Sequence, residues 1–138
     1  MSAADIQLTV SDAIRAFIDA PFVAANPTVP IVYENGAIDW NNPAPLFVEC
    51  EVEFYDGDPI GMSADPRTRL HGCVYVTTYA RAGKGSRASR ALLVWFSNHL
   101  KYQNIGAARL QAPVPDGSDK RKDWFCLSMK LGFYADET

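Results

Sequence analysis

The sequence predicts an α+β domain, with an antiparallel or mixed sheet of about four to five strands and two α-helices packed mainly on one face. Two segments carry apolar residues at helical spacing, several others alternate with period two, and their order is helix, strands, helix, strands. The length of 138 residues predicts one domain spanning 1–138, because two halves would each be too small to bury a good core.

The first helix is predicted from "SAADIQLTVSDAIRAFIDAPF", where apolar residues recur along one stripe. We expect it to end at Pro21, because proline disrupts the hydrogen bonding of a helix interior. A short strand around 31–33 and a turn at Asn35-Gly36 follow.

The second strand is "PLFVECEVEFYDGD", residues 45–58, which alternates almost without interruption. Glycines and prolines in "DGDPIGMSADP" predict a mobile loop over 56–66. "RTRLHGCVYVTTYAR", residues 67–81, is rich in β-branched and aromatic residues and predicts a central third strand.

The second helix is predicted over 88–102, with Ser86 as its N-cap. "ARLQAPVP" reads as a fourth strand, and its prolines are typical of an edge strand. A charged exposed loop over 116–123 then leads into a closing strand over 124–134.

Composition excludes several classes of function. The net charge of −3 gives no indication of a protein that coats nucleic acid, and no apolar run approaches the ~18 residues needed to cross a bilayer. The N-terminus lacks the basic and apolar regions of a signal peptide. Cys50, Cys73 and Cys126 are odd in number and widely spaced, which favours buried free thiols in a reducing cytoplasm.

Glu49, Glu51 and Glu53 form a row on one face of the second strand. Successive carboxylates on that face stand roughly 6.5–7 Å apart, and we expect no histidine near them on the same face. Their spacing argues against tight chelation of a metal and against acid–base catalysis. A solvated face, a partner surface and the wall of an aqueous channel remain open.

No enzyme class is predicted, and neither a metal nor a cofactor. The sequence has no G-x-S-x-G elbow, and His71 and His99 are expected to have structural roles. "YARAGKGSRAS" resembles a phosphate loop but lacks the P-loop order, because Lys84 precedes the second glycine.

Three interpretations of this turn stay open: an ordinary turn decorated by cations, a small phosphate- or nucleotide-binding module using Gly83–Ser86, or a basic rim that contacts an acidic face on a neighbouring copy. The cations of the candidate subunit interface are Arg81, Lys84, Arg87 and Arg90.

The order of segments resembles a known family over about residues 1–105. A helical start, "PIVYENG", a long strand after a proline and "ARAGKGSRAS" leading into a helix are similar to the tail terminator, or tail completion, proteins of long-tailed bacteriophages and prophages. The positions matching that pattern are interpreted as structural or interface positions: Tyr33, Glu34, Asn35, Gly83 and Gly85.

The resemblance implies a structural protein of the virion tail, assembled in the bacterial cytoplasm. Such proteins form a ring, usually hexameric, on the head-proximal end of the tail tube, where they end polymerisation and present the head-joining surface. The implied partners are further copies of the chain, the tail tube protein and a head-completion protein, with DNA passing through unbound and no membrane contact. Glu49, Glu51 and Glu53 would then line the lumen or a subunit interface. Another head–tail connector is the alternative within this class.

Overall fold

The computed structural model describes residues 3–34, 36, 43–61, 67–83, 86–121 and 123–137. Two helices and six strands follow one another along the chain. In order they are α1 (Ala3–Ala25), β1 (Ile31–Tyr33), β2 (Leu46–Ile60), β3 (Arg67–Arg81), α2 (Arg87–Leu100), β4 (Asn104–Ile105), β5 (Ala108–Arg121) and β6 (Trp124–Asp136).

The strands form one mixed sheet in the order β1-β2-β3-β6-β5-β4, curled into a half-barrel. β1 pairs in parallel with β2, and all other neighbours are antiparallel. The prediction of four to five strands is therefore wrong. The missing strand is β4, whose two residues are too short to show any alternation.

Both helices pack into one apolar cluster on the same face of the sheet. The repeating apolar positions of α1 are fully buried there, as are Phe96 and Leu100 of α2 and Val74 and Leu131 of the sheet. The opposite face carries a second, smaller cluster near one end, formed by Phe47, Tyr79, Trp124 and Cys126. In the part of the chain that the structure describes, no helix covers the stretch of this face between that cluster and the far end of β2, which leaves a surface for other contacts.

The prediction that α1 ends at Pro21 is wrong, because the helix continues to Ala25. Proline has no N–H, so the carbonyl of Phe17, four residues earlier, loses its ordinary helical partner. His99 of α2 donates a hydrogen bond from Nε2 to that oxygen at 2.7 Å. The same imidazole stacks on Phe17 and Trp95, with ring centroids 4.4 and 4.7 Å apart. A tertiary contact thus replaces the missing helical bond.

The predicted loops over 56–66 and 116–123 are also largely wrong. β2 extends through Gly57 and Pro59 to Ile60, and β5 extends through the charged segment to Arg121. Each segment pairs with a long antiparallel neighbour, which outweighs the local preference for a turn. Pro59 is tolerated because, among the described residues, β1 pairs with β2 at Val48–Cys50 alone and leaves this part of the strand at an edge. Residues 62–66 of the predicted loop lie outside the described residues.

The remaining elements agree with their predictions. β1 and β3 have the predicted bounds, and α2 and β6 differ from theirs by one or two residues at an end. Within the described ranges, no helix is both long enough and apolar enough to span a membrane.

Candidate functional site

The three predicted glutamates lie on the helix-free face of the sheet. Their neighbours in sequence, Val48 and Cys50, point the other way and are buried beneath the helices. Glu49 pairs with Thr77 of β3, and Glu51 pairs with Tyr75. Together with Glu53, these residues line a shallow concave surface of about 200 Å³. The face predicted from alternation is therefore present, and its concave shape comes from the curl of the sheet.

A β-bulge adds two more carboxylates to this row. The pairing register shifts between Phe54 and Asp56, so that Tyr55 is an extra residue. Asp56 then pairs with His71 and Asp58 with Arg69, on the same face as Tyr75. We call Glu49, Glu51, Glu53, Asp56 and Asp58 the acidic row. Sequence alternation missed its last two members, because one bulged residue reverses the faces of everything after it.

Glu51 lies between two other carboxylates of the acidic row and is partly buried. Burial raises the pKa of its carboxyl group above the ordinary value, and Glu49, Glu53 and Glu34 raise it further. Glu34 lies close because its Oε2 accepts a hydrogen bond from the backbone N–H of Val52 at 2.8 Å. Because neighbouring carboxylates help to raise the pKa of Glu51, the surface of the acidic row attracts cations and protons and repels polyanions.

Two cations on or beside this face contact carboxylates of the same chain. Arg69 forms a two-bonded pair with Asp136, at 2.7 and 3.0 Å. Lys130 Nζ lies 3.8 Å from Asp116 Oδ1, on the border with β5. Each cation is neutralised by a carboxylate outside the acidic row. These cations therefore do not balance the negative charge of the row.

His71 also lies on this face, so the expectation of no histidine near the carboxylates there is wrong. Its Nδ1 is 2.5 Å from Asp56 Oδ1 and 3.7 Å from Asp58 Oδ2. One possible ligand atom from each of these three residues lies within 4.8 Å of the others. Both carboxylates are exposed, and the imidazole of His71 already has a hydrogen-bond partner in Asp56. We therefore assign no metal to this cluster.

The predicted basic interface residues do not form one site. The guanidinium of Arg81 stacks over the Trp124 ring, 4.6 Å from its centroid. Arg87 and Arg90 are exposed on the first turns of α2, where Arg90 Nε donates to Ser86 Oγ at 3.2 Å. Lys84 lies outside the described residues. Arg87 and Arg90 therefore share one surface, and Arg81 belongs to the edge of the aromatic cluster.

The glycine turn has few features of a phosphate site. Gly83 has φ of +84°, the left-handed conformation that glycine adopts readily. Ser86 is the N-cap of α2 but makes no capping bond through its side chain, and instead accepts from Arg90. Gly85 lies outside the described residues. A pocket of about 330 Å³ next to the turn also touches Lys120 and Phe125.

Two of the family-pattern residues connect elements. The hydroxyl of Tyr33 donates to Asp19 Oδ1 at 3.0 Å, and its ring lies 4.3 Å from the guanidinium of Arg15. Burial and the Asp19 carboxylate raise the pKa of this hydroxyl. Glu34 holds β2 through Val52, as described above. Tyr33 thus ties β1 to α1, and Asn35 lies outside the described residues.

All three cysteines are free and buried, as predicted. Burial raises the pKa of the Cys50 thiol to about 12, so this group is a neutral part of the core at physiological pH.

Sequence reasoning missed an apolar groove between α2 and the outer strands. Its volume is about 400 Å³, and Arg90 lies at its rim. Val94 is 57% exposed and Val114 is 47% exposed in this groove, although both are β-branched aliphatic residues. The apolar groove is lined by Leu93, Val94, Pro113, Val114, Leu127 and Met129. The sequence signals for this groove are Val94, an apolar residue on the outer face of α2, and Val114, which lies between two prolines.

Comparison with known proteins shows the fold and no function. No protein-family model matches the chain, and no curated protein matches it. Eighteen chains of solved structures match. One of these superposes with a TM-score of 0.72 over 96% of each chain, at 15% sequence identity, and its name states no function. The half-barrel with two helices therefore belongs to a fold that occurs in solved proteins.

Proposed function

We propose that this chain is a structural subunit of a phage or prophage tail. It forms a ring on the head-proximal end of the tail tube, ends tube polymerisation and provides the surface for head joining. The observation that carries the proposal is the acidic row, whose three glutamates, Glu49, Glu51 and Glu53, line one concave, helix-free surface of the sheet. Catalytic machinery plays no part in it, and the partners are further copies, the tube protein and a head-completion protein.

The three glutamates of the acidic row suit the wall of a DNA channel. DNA carries one phosphate charge per ~1.7 Å of helix axis, and proteins bind it by matching those charges with lysine and arginine. A wall of carboxylates repels the phosphates and keeps the duplex from adhering while it moves. Within one subunit, burial first and then repulsion from Glu49, Glu53 and Glu34 raise the pKa of Glu51.

Tail tubes assembled with and without this chain provide the test. We expect electron micrographs to show a ring at one end of each tube, and tube growth to stop when the chain is added to a polymerising tube protein. Tubes of unchanged length with bare ends would contradict the proposal. A saturable thermal shift of the monomer with phosphate ligands would favour the nucleotide-binding alternative at the glycine turn instead.

A further inference from the structure

The apolar groove is an exposed surface with a basic rim. Val94 and Val114 leave about half of their side-chain area in water, although burial of such side chains contributes roughly 25 cal/mol per Å². Arg90 lines the groove, and Arg87 lies exposed one turn earlier on α2. Apolar surface bordered by like charges is typical of a surface that binds an apolar and oppositely charged segment.

A segment of that chemistry occurs on the same chain. Residues 55–60, which we call the acidic hairpin end, combine a 60% exposed Tyr55 with the exposed carboxylates of Asp56 and Asp58. Among the described residues, β1 covers β2 only as far as Cys50, so this part of β2 lies along an open edge of the sheet. Its backbone and side chains are therefore accessible to another molecule.

The two surfaces lie at opposite edges of the sheet. The acidic hairpin end belongs to β2, near the β1 edge, whereas the groove lies over β5 and β6, near the β4 edge. One copy cannot join them within itself. A contact between them is heterologous, and each added copy again presents one groove and one hairpin end, which produces a ring when the rotation closes.

We propose that the apolar groove of each copy binds the acidic hairpin end of a second copy. Tyr55 packs against Val94 and Val114, and the carboxylates of Asp56 and Asp58 face Arg87 and Arg90. This inference rests on the proposed ring and names the two surfaces that meet in it.

Charge reversal on each side tests the contact in the full chain. Asp56→Lys/Asp58→Lys and Arg87→Glu/Arg90→Glu should each weaken self-association at least tenfold, because each places like charges in contact. An equal mixture of the two variants should regain the mass of the wild-type oligomer, because every contact then joins opposite charges. Light scattering after size exclusion measures the masses.

A second pair of variants tests the apolar part. Val94→Glu should lower the oligomer mass, because it places a carboxylate in the apolar groove. If this variant does not fold, Val114→Glu on the β5 side of the groove provides the same test. Leu8→Glu is the matched control, because Leu8 is 66% exposed on α1 and away from both surfaces. Circular dichroism confirms that each variant is folded.

The outcomes separate the contact from the function. If the charge-reversed and Val94→Glu variants form rings of the same mass as the wild-type protein, the proposed contact is wrong. The proposed function would stand in that case. A mixture that stays at the mass of its separate variants would also overturn it. A wild-type chain that forms no ring, either alone or on tube ends, would overturn both.

Discussion

Glu51 has the least favourable position of the carboxylates on the helix-free face. It is partly buried, and three other carboxylates raise its pKa. Because the folded state holds this proton more tightly than the unfolded state, the free energy of unfolding falls as pH rises from the ordinary value of 4.5 through the raised value. The position of Glu51 in the acidic row therefore destabilises the folded state at neutral pH.

Glu51→Gln should stabilise the protein by ~0.3–1 kcal/mol at pH 7, a small gain because the site is largely solvent-screened. The gain should shrink as pH falls toward 4.5 and vanish below it, where both proteins carry an uncharged group. Urea unfolding at several pH values measures it. Asp12→Asn, an exposed substitution on α1, serves as the control. An equal gain at pH 4 and pH 7 would mean that repulsion is not the cause.

At the scale of elements, sequence reasoning succeeded where a period ran without interruption. The bounds of β3 follow from fifteen alternating, strand-forming residues, and the row of three glutamates follows from the same period in β2. It failed where a distant partner decided the outcome. Pro21 ends a helix by local rules, yet α1 continues because His99 supplies a hydrogen bond from α2. The bulge at Tyr55 has no local signal either, so Asp56 and Asp58 could not be assigned to the face.

The contact between His99 and Phe17 gives a prediction at this scale. His99→Phe keeps the stacking but leaves the Phe17 carbonyl without its donor, which should cost ~1–2 kcal/mol of stability. In a Pro21→Ala background the new N–H of residue 21 can bond that carbonyl, so the same change should cost less by about 1 kcal/mol. Urea unfolding of the four proteins measures this coupling. Additive effects would show that the imidazole does not replace the missing helical bond.

At the scale of the whole molecule, the curl of the sheet turns a strand pattern into a surface. Both helices pack on one face, and the long hairpins β2–β3 and β5–β6 extend the other. Their curvature brings Glu49, Glu51 and Glu53 along one concave wall. The sequence predicted the charge of this wall but not its shape, because curvature arises from pairing between strands that are far apart in the chain.

The charge of this wall gives the last prediction. Wild-type protein should not bind duplex DNA detectably at 50 mM salt, whereas Glu49→Lys/Glu51→Lys/Glu53→Lys should bind it, with an affinity that falls steeply as salt rises. If the three glutamates face the lumen, the triple variant should still form rings on tubes, and DNA passage through them should slow. Fluorescence anisotropy measures binding, and electron microscopy measures ring formation. A control variant with three lysines at exposed positions of α1, Gln7→Lys, Leu8→Lys and Asp12→Lys, has added positive charge away from the wall and should not slow passage. If the glutamate triple variant loses its rings and the control variant keeps them, these glutamates lie in a contact between subunits. The lumen assignment would then be wrong.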